Sequence, residues 1–256
     1  MPVHEVAAEG FEREAEVYER SRPSYPPEVV AWFAEHLRIA PGTRVADVAA
    51  GTGKLTRLLV PLGADLFALE PVTGMAAQLR ATCPGVPLVA GTAEALPFAD
   101  GALDAITVAQ AFHWLDADSA LAEFHRALVP GGRVGLVWNA RDRTNPLVNR
   151  LWSIMDHVEK RAPWRQHDEW RNSAFVDSPW FGPQDAATFH HVQVLSPEQV
   201  VGRFQSVSHV AVLPPDDQRA VLDEVREMLS THPEARGRDE IAIPYRVDAY
   251  WCERLG

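Results

Sequence analysis

The residues most suggestive of chemistry lie in one segment, Val45 to Leu55, with the sequence VADVAAGTGKL. An apolar run reaches Asp47, and Gly51 and Gly53 follow before a helical pattern begins. Glycines let such a turn approach a ligand, and the N-terminus of the helix behind it attracts a carboxylate. Glu70 ends the next apolar run, where an acidic side chain can accept hydrogen bonds from both ribose hydroxyls of a nucleoside. The segment predicts a site for a nucleoside that carries a carboxylate.

Two other interpretations of this segment stay open. The glycines could serve only the backbone geometry of a tight strand-to-helix turn. The ligand could also be a nicotinamide dinucleotide, whose fingerprint requires a third small residue three positions after the second glycine. Thr56 occupies that position, so the full fingerprint is absent. A nicotinamide-dependent oxidoreductase is therefore disfavoured, although it stays an alternative.

A candidate general base, His113, lies in the sequence QAFHW directly after the apolar run Leu103 to Ala109. Doubly wound sheets bind ligands beyond the carboxyl ends of their strands. A neutral imidazole placed there could take a proton from an attacking hydroxyl, amine or carbon acid. The alternative is a packed histidine bonded to a loop carbonyl. His125 lies on an apolar helix face and is interpreted as structural.

Five apolar runs alternate with helical patterns and predict the strands that position these residues. The predicted strands are Arg44–Ala49, Leu66–Leu69, Val86–Ala90, Leu103–Ala109 and Val134–Trp138. This alternation predicts a doubly wound parallel sheet. Pro130-Gly131-Gly132 predicts a turn before the fifth strand. The first helix is predicted to begin at Pro26-Pro27 and to bury Val30, Phe33, Ala34 and Leu37.

The second half of the chain is less regular. A helical segment from Leu147 to Val158 leads into a tryptophan-rich stretch, and a strand, a helix and a final strand beside the sixth follow. These three elements are predicted at Ala187–Leu195, Pro215–Leu229 and Glu240–Val247. Five of the eight tryptophans fall after Asn145. They could wall a pocket for a planar, apolar acceptor, or form a satellite core or a homodimer interface.

Length and charge restrict the function classes. The 256 residues suit one α/β domain with insertions. A formal net charge of −11 repels a phosphate backbone, so a nucleic-acid partner is not expected. No signal peptide and no apolar window of about 20 residues is found, so we expect a cytoplasmic protein with no membrane partner. The two cysteines, Cys83 and Cys252, and the histidines show no metal-ligand spacing, and no metal is expected.

Four blocks between about Phe11 and Asn139 resemble the class I S-adenosylmethionine-dependent methyltransferases, particularly their small-molecule branch. In order, they are VADVAAGTGKLT, FALEPVTGM, GTAEALPFADGALDAITVAQAFHW and RALVPGGRVGLVWN. The resemblance implies S-adenosylmethionine as cofactor. It also implies a Rossmann-like α/β fold whose seven-stranded sheet has an antiparallel strand seven between strands five and six. The tryptophan-rich stretch is then a helical insertion after strand five.

The resemblance also assigns roles to individual residues. Asp47, Gly51 and Gly53 resemble the loop around the methionine portion, and Glu70 resembles the ribose ligand. Met75 would cover the adenine, Thr92 and Ala93 would contact its edge, and Gln110 would lie near the sulfonium. The segment YERSRPSYPPE resembles the same branch, and its Tyr18, Arg22 and Tyr25 would close over the cofactor. Arg22 would pair with the carboxylate of the cofactor, and Tyr25 joins His113 as a predicted catalytic residue.

We therefore expect three parts within one domain. Residues 1–40 form an arm and helix that close over the cofactor, residues 41–139 form the cofactor-binding core, and residues 140–256 form the acceptor side. The expected activity is methyl transfer to a carbon, oxygen or nitrogen atom of a small, aromatic or heteroaromatic secondary metabolite. The alternative of a different class is a protein that binds S-adenosylmethionine without transfer chemistry.

Overall fold

The computed structural model describes residues 12, 15–159, 175 and 178–256, and its centre is a seven-stranded sheet in the order β3-β2-β1-β4-β5-β7-β6. β1 to β5 are parallel, whereas β7 runs antiparallel to both β5 and β6. The predicted seventh strand between the fifth and sixth is thereby confirmed. The strands are β1 (Arg44–Val48), β2 (Asp65–Leu69), β3 (Leu88–Val89), β4 (Leu103–Ala109), β5 (Leu128–Arg141), β6 (Asp185–Leu195) and β7 (Ile241–Glu253).

Helices follow most of the strands. The described part of the first helix, α1, is residues 15–21. The others are α2 (Pro27–His36), α3 (Thr56–Leu59), α4 (Thr73–Thr82), α5 (Ala117–Ala127), α6 (Pro146–Glu159), α7 (Pro197–Gln205), α8 (Ser208–Ala211) and α9 (Pro215–Thr231). Short 3-10 helices cover Val60–Leu62 and Phe112–Trp114. None of the described helices has the length and apolar character needed to cross a bilayer.

Three predicted strands differ clearly from the observed ones, and one of them is β7, which extends to Glu253 where an end at Val247 was predicted. β3 is shorter than predicted because it pairs with β2 at only two positions. β5 is much longer, and it begins before the predicted turn at Pro130-Gly131-Gly132. Leu128 already pairs with Leu103, and the register then shifts before Arg133 pairs with Ala105. The proline and glycines therefore form an irregularity inside β5 and not a turn ahead of it.

The buried face of α2 is also displaced from the predicted one. Val29, Phe33 and Leu37 are buried, whereas Val30 is only half-buried. The helix approaches β5 at Gly135, where an added Cβ would lie 2.6 Å from Leu37 Cδ1. Glycine at this position therefore permits the close helix-to-sheet contact.

Apolar residues cover both faces of the sheet because successive strand residues point to opposite sides. Ala46 and Val48 of β1 pack with α5, whereas Val45 packs with α2 and α3. A separate core joins α6, α7 and α9 to the first half of β7. The carboxyl ends of β1, β2, β4 and β5 remain at one edge, between the N-terminal arm and this separate core.

Candidate active site

One cavity lies beyond the carboxyl ends of the parallel strands, as expected for a doubly wound sheet. Its empty volume is about 1100 Å³ including the open mouth. Residues predicted from the sequence that line the cavity are Tyr18, Arg22, Tyr25, Gly51, Glu70, Met75, Thr92, Ala93 and Gln110. The structure therefore places these nine predicted residues around one cavity, and their roles stay predictions.

The loop between β1 and α3 enters the cavity with unusual backbone geometry. Ala49, Gly51 and Gly53 all have positive φ angles, of 53°, 58° and 83°. Such angles suit glycine but strain alanine. An added Cβ on Gly51 would meet open space, whereas on Gly53 it would lie 2.9 Å from Cys83 Sγ. Gly51 is therefore open to a ligand, and Gly53, outside the cavity lining, is needed where the loop packs against α4.

Asp47 lies beneath this loop and does not line the cavity. It is fully buried, and its two oxygens accept hydrogen bonds from Thr56 Oγ1 at 2.6 Å and Thr107 Oγ1 at 2.8 Å. These bonds join β1 to α3 and β4. Burial raises the pKa of Asp47 to about 6, although both hydroxyl bonds oppose the shift. The structure gives Asp47 a role in holding the loop, and its contact with a cofactor stays a prediction.

Glu70 supports the loop and is also placed to bind a ligand. Its side chain is 8% exposed, with Oε2 2.8 Å from the Gly51 amide nitrogen and Oε1 2.8 Å from the Val72 amide nitrogen. Both amides donate to the carboxylate. Burial raises the pKa of Glu70 to about 7 against these two stabilising bonds. A carboxylate oxygen has more than one acceptor site, so ribose hydroxyls can bond to Glu70 without displacing the amides.

The adenine end of the predicted cofactor site is apolar. Val72 and Met75 are buried and pack against Ala15 and Tyr18 of α1. Ala93 is buried beneath the opposite side, after Thr92, whose bridge to Ala95 closes a tight turn. These side chains form walls that suit a flat, apolar ring. The predicted roles of Met75, Thr92 and Ala93 agree with this placement and stay predictions.

A second strained residue lies at the end of β4. Gln110 has a φ of 58°, its amide donates to Val137 O at 2.9 Å, and its Nε2 donates to Asn139 O at 3.3 Å. Asn139 also lines the cavity, with Nδ2 donating to Ser24 O and Oδ1 3.1 Å from His191 Nε2. Residues held in the left-handed region often occur at functional sites. The ends of β4 and β5 thus present two oriented amide side chains.

The N-terminal arm, residues 15–26, covers the cavity from above. Glu19 pairs with Arg57 at 2.7 Å, and Lys54 Nζ donates to the backbone oxygen of Glu19. On the other side, Arg22 donates to Ser206 Oγ at 3.0 Å and to its backbone oxygen at 2.7 Å. The arm therefore bridges the β1–α3 loop and the helices of the second half.

Tyr25 of this arm is 7% exposed and lines the cavity. Burial raises its pKa well above 10, so its hydroxyl stays protonated near neutral pH. It can donate a hydrogen bond to a ligand, but it does not act as a base in that range. The catalytic role predicted for Tyr25 is therefore narrowed to that of a donor.

His113 does not line the cavity. It lies in the 3-10 helix Phe112–Trp114, with its ring centroid 4.9 Å from that of Trp114, and Trp114 is the residue that faces the cavity. This placement disfavours His113 as the general base, a role that stays a prediction. His125 contacts Leu255 O at 3.1 Å and the rings of Trp180 and Phe181, which agrees with a structural role.

Of the alternatives for the late tryptophans, the pocket wall does not fit the three that the structure describes, and a satellite core fits Trp152. Trp152 is 1% exposed in the core of α6, α7 and α9. Trp180 packs on His125, and Trp251 lies under Arg133 with 4.5 Å between guanidinium and ring. None of them lines the cavity. Trp164 and Trp170 lie outside the described residues.

Several lining residues were missed by the sequence analysis, and Arg203 is the most unusual. It lies on α7, is 6% exposed, and faces the cavity. Lys54, Trp114 and Asn139 were also missed as site residues. Lys54 follows Gly53 directly, and Asn139 follows the predicted fifth strand, so both carried a positional signal. Arg203 carried none, because a single arginine in an amphipathic helix usually faces solvent. Among the described residues, no cluster of histidine, cysteine or acidic side chains could hold a metal ion.

Comparisons with known proteins agree with this site. A family model described as a methyltransferase domain matches residues 46–136. An uncharacterized methyltransferase of Mycobacterium bovis is 39% identical over 89% of this chain and 88% of its own. An uncharacterized methyltransferase-like protein of Schizosaccharomyces pombe is 30% identical over 95% of each chain. The solved structure of a protein described as a type II methyltransferase from Anaeromyxobacter dehalogenans superposes with a TM-score of 0.65 at 24% identity, covering 91% of this chain and 96% of its own.

These relatives exclude the nicotinamide-dependent oxidoreductase as the interpretation of the glycine loop. The segment matched by the family model contains Asp47, both loop glycines and Glu70. The matches to the two relatives also include the acceptor side, since they cover 89% and 95% of this chain. The chain belongs to the class I S-adenosylmethionine-dependent methyltransferases.

Proposed function

We propose that this methyltransferase methylates a small molecule that binds in the same cavity as the cofactor, on the side of Asn139, Trp114 and Arg203. One observation carries the proposal: a single cavity is lined both by the cofactor loops of β1 and β2 and by residues of the second half. An acceptor and a donor bound there would meet at the ends of β4 and β5. A macromolecular acceptor is disfavoured because the N-terminal arm covers this space.

The cofactor fits the residues that are present. Gly51 leaves open space, Glu70 offers a buried carboxylate for the ribose, and Val72 with Met75 offers an apolar wall for the adenine. Arg22 and Lys54 provide positive charge near the loop, where a carboxylate would lie. Bound S-adenosylmethionine supplies an activated methyl group that a nucleophile takes by in-line displacement, leaving S-adenosylhomocysteine.

The protein would act mainly by positioning and by excluding water. Gln110 Nε2 donates to the backbone oxygen of Asn139 and so links β4 to β5, and Tyr25 offers a protonated hydroxyl. Orientation of an already activated donor against a nucleophile can supply about 7–11 kcal/mol of the barrier reduction. A base would add about 10²–10⁴-fold only where the acceptor must lose a proton. An acceptor that is nucleophilic as it binds needs no such residue.

An aromatic acceptor has narrower support than the sequence suggested. Among the described residues, the aromatic side chains that line the cavity are Tyr18, Tyr25 and Trp114, and Trp114 is the one that lies outside the N-terminal arm. A flat ring could pack on its indole. The methylated atom, whether carbon, oxygen or nitrogen, depends on what is held against the ends of β4 and β5.

An acceptor screen with isotopically labelled S-adenosylmethionine tests the proposal, with mass spectrometry detecting labelled products. We expect label in a small molecule and stoichiometric release of S-adenosylhomocysteine. Label found only in added protein or nucleic acid would contradict a small-molecule acceptor. Calorimetric binding of S-adenosylhomocysteine without label transfer to any member of a broad metabolite extract would favour a binding protein without transfer activity.

A further inference from the structure

Arg203 is a buried cation whose hydrogen-bonding capacity is largely unused. Its side chain faces the cavity at 6% exposure, and its Nε and Nη1 atoms have no hydrogen-bond partner among the described residues. Its guanidinium lies 5.7 Å from the ring of Trp152, a contact that leaves the N–H donors unsatisfied. Removing an arginine from water without pairing it is unfavourable. The fold alone gives no reason for a cation at this position.

A second arginine, Arg22, lies close to Arg203 and adds to the positive charge that no carboxylate of the described residues balances. Arg22 binds Ser206, whose hydroxyl donates to the backbone oxygen of Arg203 at 3.0 Å. Burial, and next the positive charge of Arg203, lower the pKa of Arg22 to about 9. Within residues 15–159 and 178–256, neither arginine forms an ion pair with a carboxylate. The two arginines therefore make their part of the cavity lining positive.

The position of Arg203 assigns it to the acceptor and not to the cofactor. It lies on α7, one of the helices of the second half, which the sequence analysis predicted to form the acceptor side. The loop that would hold the methionine portion has its own cation in Lys54, and Arg22 of the arm lines the same cavity. A guanidinium with free donors binds planar or tetrahedral anions through paired hydrogen bonds.

We propose that Arg203 binds an anionic group of the acceptor, a carboxylate or a phosphate monoester, and so selects acidic small molecules for methylation. The inference rests on the proposed function, since it requires that the acceptor share this cavity. The inference adds the requirement that the acceptor be negatively charged, which the aromatic lining alone does not impose. Arg203 is then a substrate-binding residue that fixes the acceptor before the methyl group moves.

Matched pairs of small probes test the assignment on protein saturated with S-adenosylhomocysteine. The pairs are benzoate with benzamide, succinate with succinamide, and phenyl phosphate with phenol, followed by ligand-observed nuclear magnetic resonance. In at least one pair we expect the anionic member to bind the wild-type protein at least tenfold more tightly than its neutral partner. The pair that shows this preference separates carboxylate from phosphate recognition.

Arg203→Met should reduce that preference to less than twofold, and Arg203→Lys should restore part of it. The matched control is Arg219→Met on α9, an exposed arginine paired with Asp216, which should keep the full preference. The melting temperature of Arg203→Met should not fall, because an unpaired buried charge is exchanged for an apolar chain of similar length. A fall of several degrees, with the preference retained, would make Arg203 a structural residue and overturn the proposal.

Two further results would overturn it differently. A tenfold loss of affinity for S-adenosylhomocysteine in Arg203→Met would place this arginine on the cofactor's carboxylate. Equal affinity, or no binding, for both members of every pair in a wild-type protein that binds S-adenosylhomocysteine would refute the anion site alone. The proposed function itself fails on a different readout, the absence of label transfer to small molecules.

Discussion

The role of Glu70 gives the sharpest test of the cofactor site, through the substitution Glu70→Gln. The amide keeps the shape of the side chain but has one acceptor oxygen in place of two. In the free protein both carboxylate oxygens already accept backbone amides, from Gly51 and Val72. The single oxygen of glutamine cannot accept from both backbone amides and from the ribose hydroxyls, so at least one of these hydrogen bonds must be lost. Hydrogen bonds to charged groups contribute about 1.5–3 kcal/mol, so affinity for S-adenosylhomocysteine should fall at least about tenfold at pH 8.

The pKa of Glu70 adds a second signature. Burial raises that pKa from 4.5 to about 7, which corresponds to roughly 3 kcal/mol for ionising the carboxyl in this site. The ionised form accepts the ribose hydroxyls, so wild-type affinity should increase about tenfold from pH 6 to pH 8. Burial lowers the pKa of Lys54 to about 8, and Lys54 titrates in both proteins. The difference between the wild-type and Glu70→Gln pH profiles therefore isolates Glu70.

Isothermal titration calorimetry with S-adenosylhomocysteine at pH 6, 7 and 8 measures both effects. The control is Asp65→Asn, which removes one negative charge from the exposed opposite end of β2. Because solvent screens that site, its affinity should change by less than about twofold. Parallel pH profiles for wild type and Glu70→Gln, or an unchanged dissociation constant at pH 8, would refute Glu70 as the ribose ligand.

Four other perturbations test the site. Ala49→Gly should raise the melting temperature by about 1–3 °C, because relieving the left-handed backbone of alanine (about 1–2 kcal/mol) outweighs the entropy that glycine adds to the unfolded chain (about 0.4–1 kcal/mol). Ala50→Gly, at a position without a positive φ, should lower the melting temperature. Because the pKa of Asp47 is raised, the free energy of unfolding of the wild type should fall as pH increases from about 4 to 6, and Asp47→Asn should remove this fall. Urea unfolding measures both, and parallel wild-type and variant curves would contradict this expectation. Trypsin should cleave the arm, residues 15–26, more slowly with saturating S-adenosylhomocysteine, and equal rates would argue against closure over the cofactor. His113→Ala should lower kcat less than about tenfold, since its ring lies outside the cavity lining; a hundredfold loss with cofactor affinity intact would restore His113 as the base.

The sequence predicted well what depends on local pattern. The run Leu103–Ala109 is β4 to the residue, because a buried parallel strand is apolar along its whole length. The strand-end positions of Gly51, Glu70 and Gln110 followed from the same runs, and all three line the cavity. Strand edges that depend on pairing were less predictable. The early start of β5 needs its partner Leu103, which lies far away in sequence.

The sequence also did not predict which way side chains on a helix point. The late tryptophans signalled an apolar surface, but composition does not say whether that surface faces a ligand or a core. Trp152 became core because it lies on the face of α6 that packs on Phe204. On the same helix as Phe204, Arg203 faces the cavity, one residue away. Such a distinction depends on how α7 is rotated against α6, which the tertiary contacts decide.

The features that are unfavourable in the free protein converge on this cavity. Ala49 and Gln110 have left-handed backbone angles, Glu70 is a buried acid with a raised pKa, and Arg203 has unpaired donors. Each of these features lowers the stability of the free protein, and binding of a donor or an acceptor would offset that cost or use the residue in a contact. A fold selected for stability alone would place glycine at residue 49 and an apolar side chain at residue 203. Packing does not account for these residues, whereas binding of the cofactor and of the acidic acceptor that we propose would.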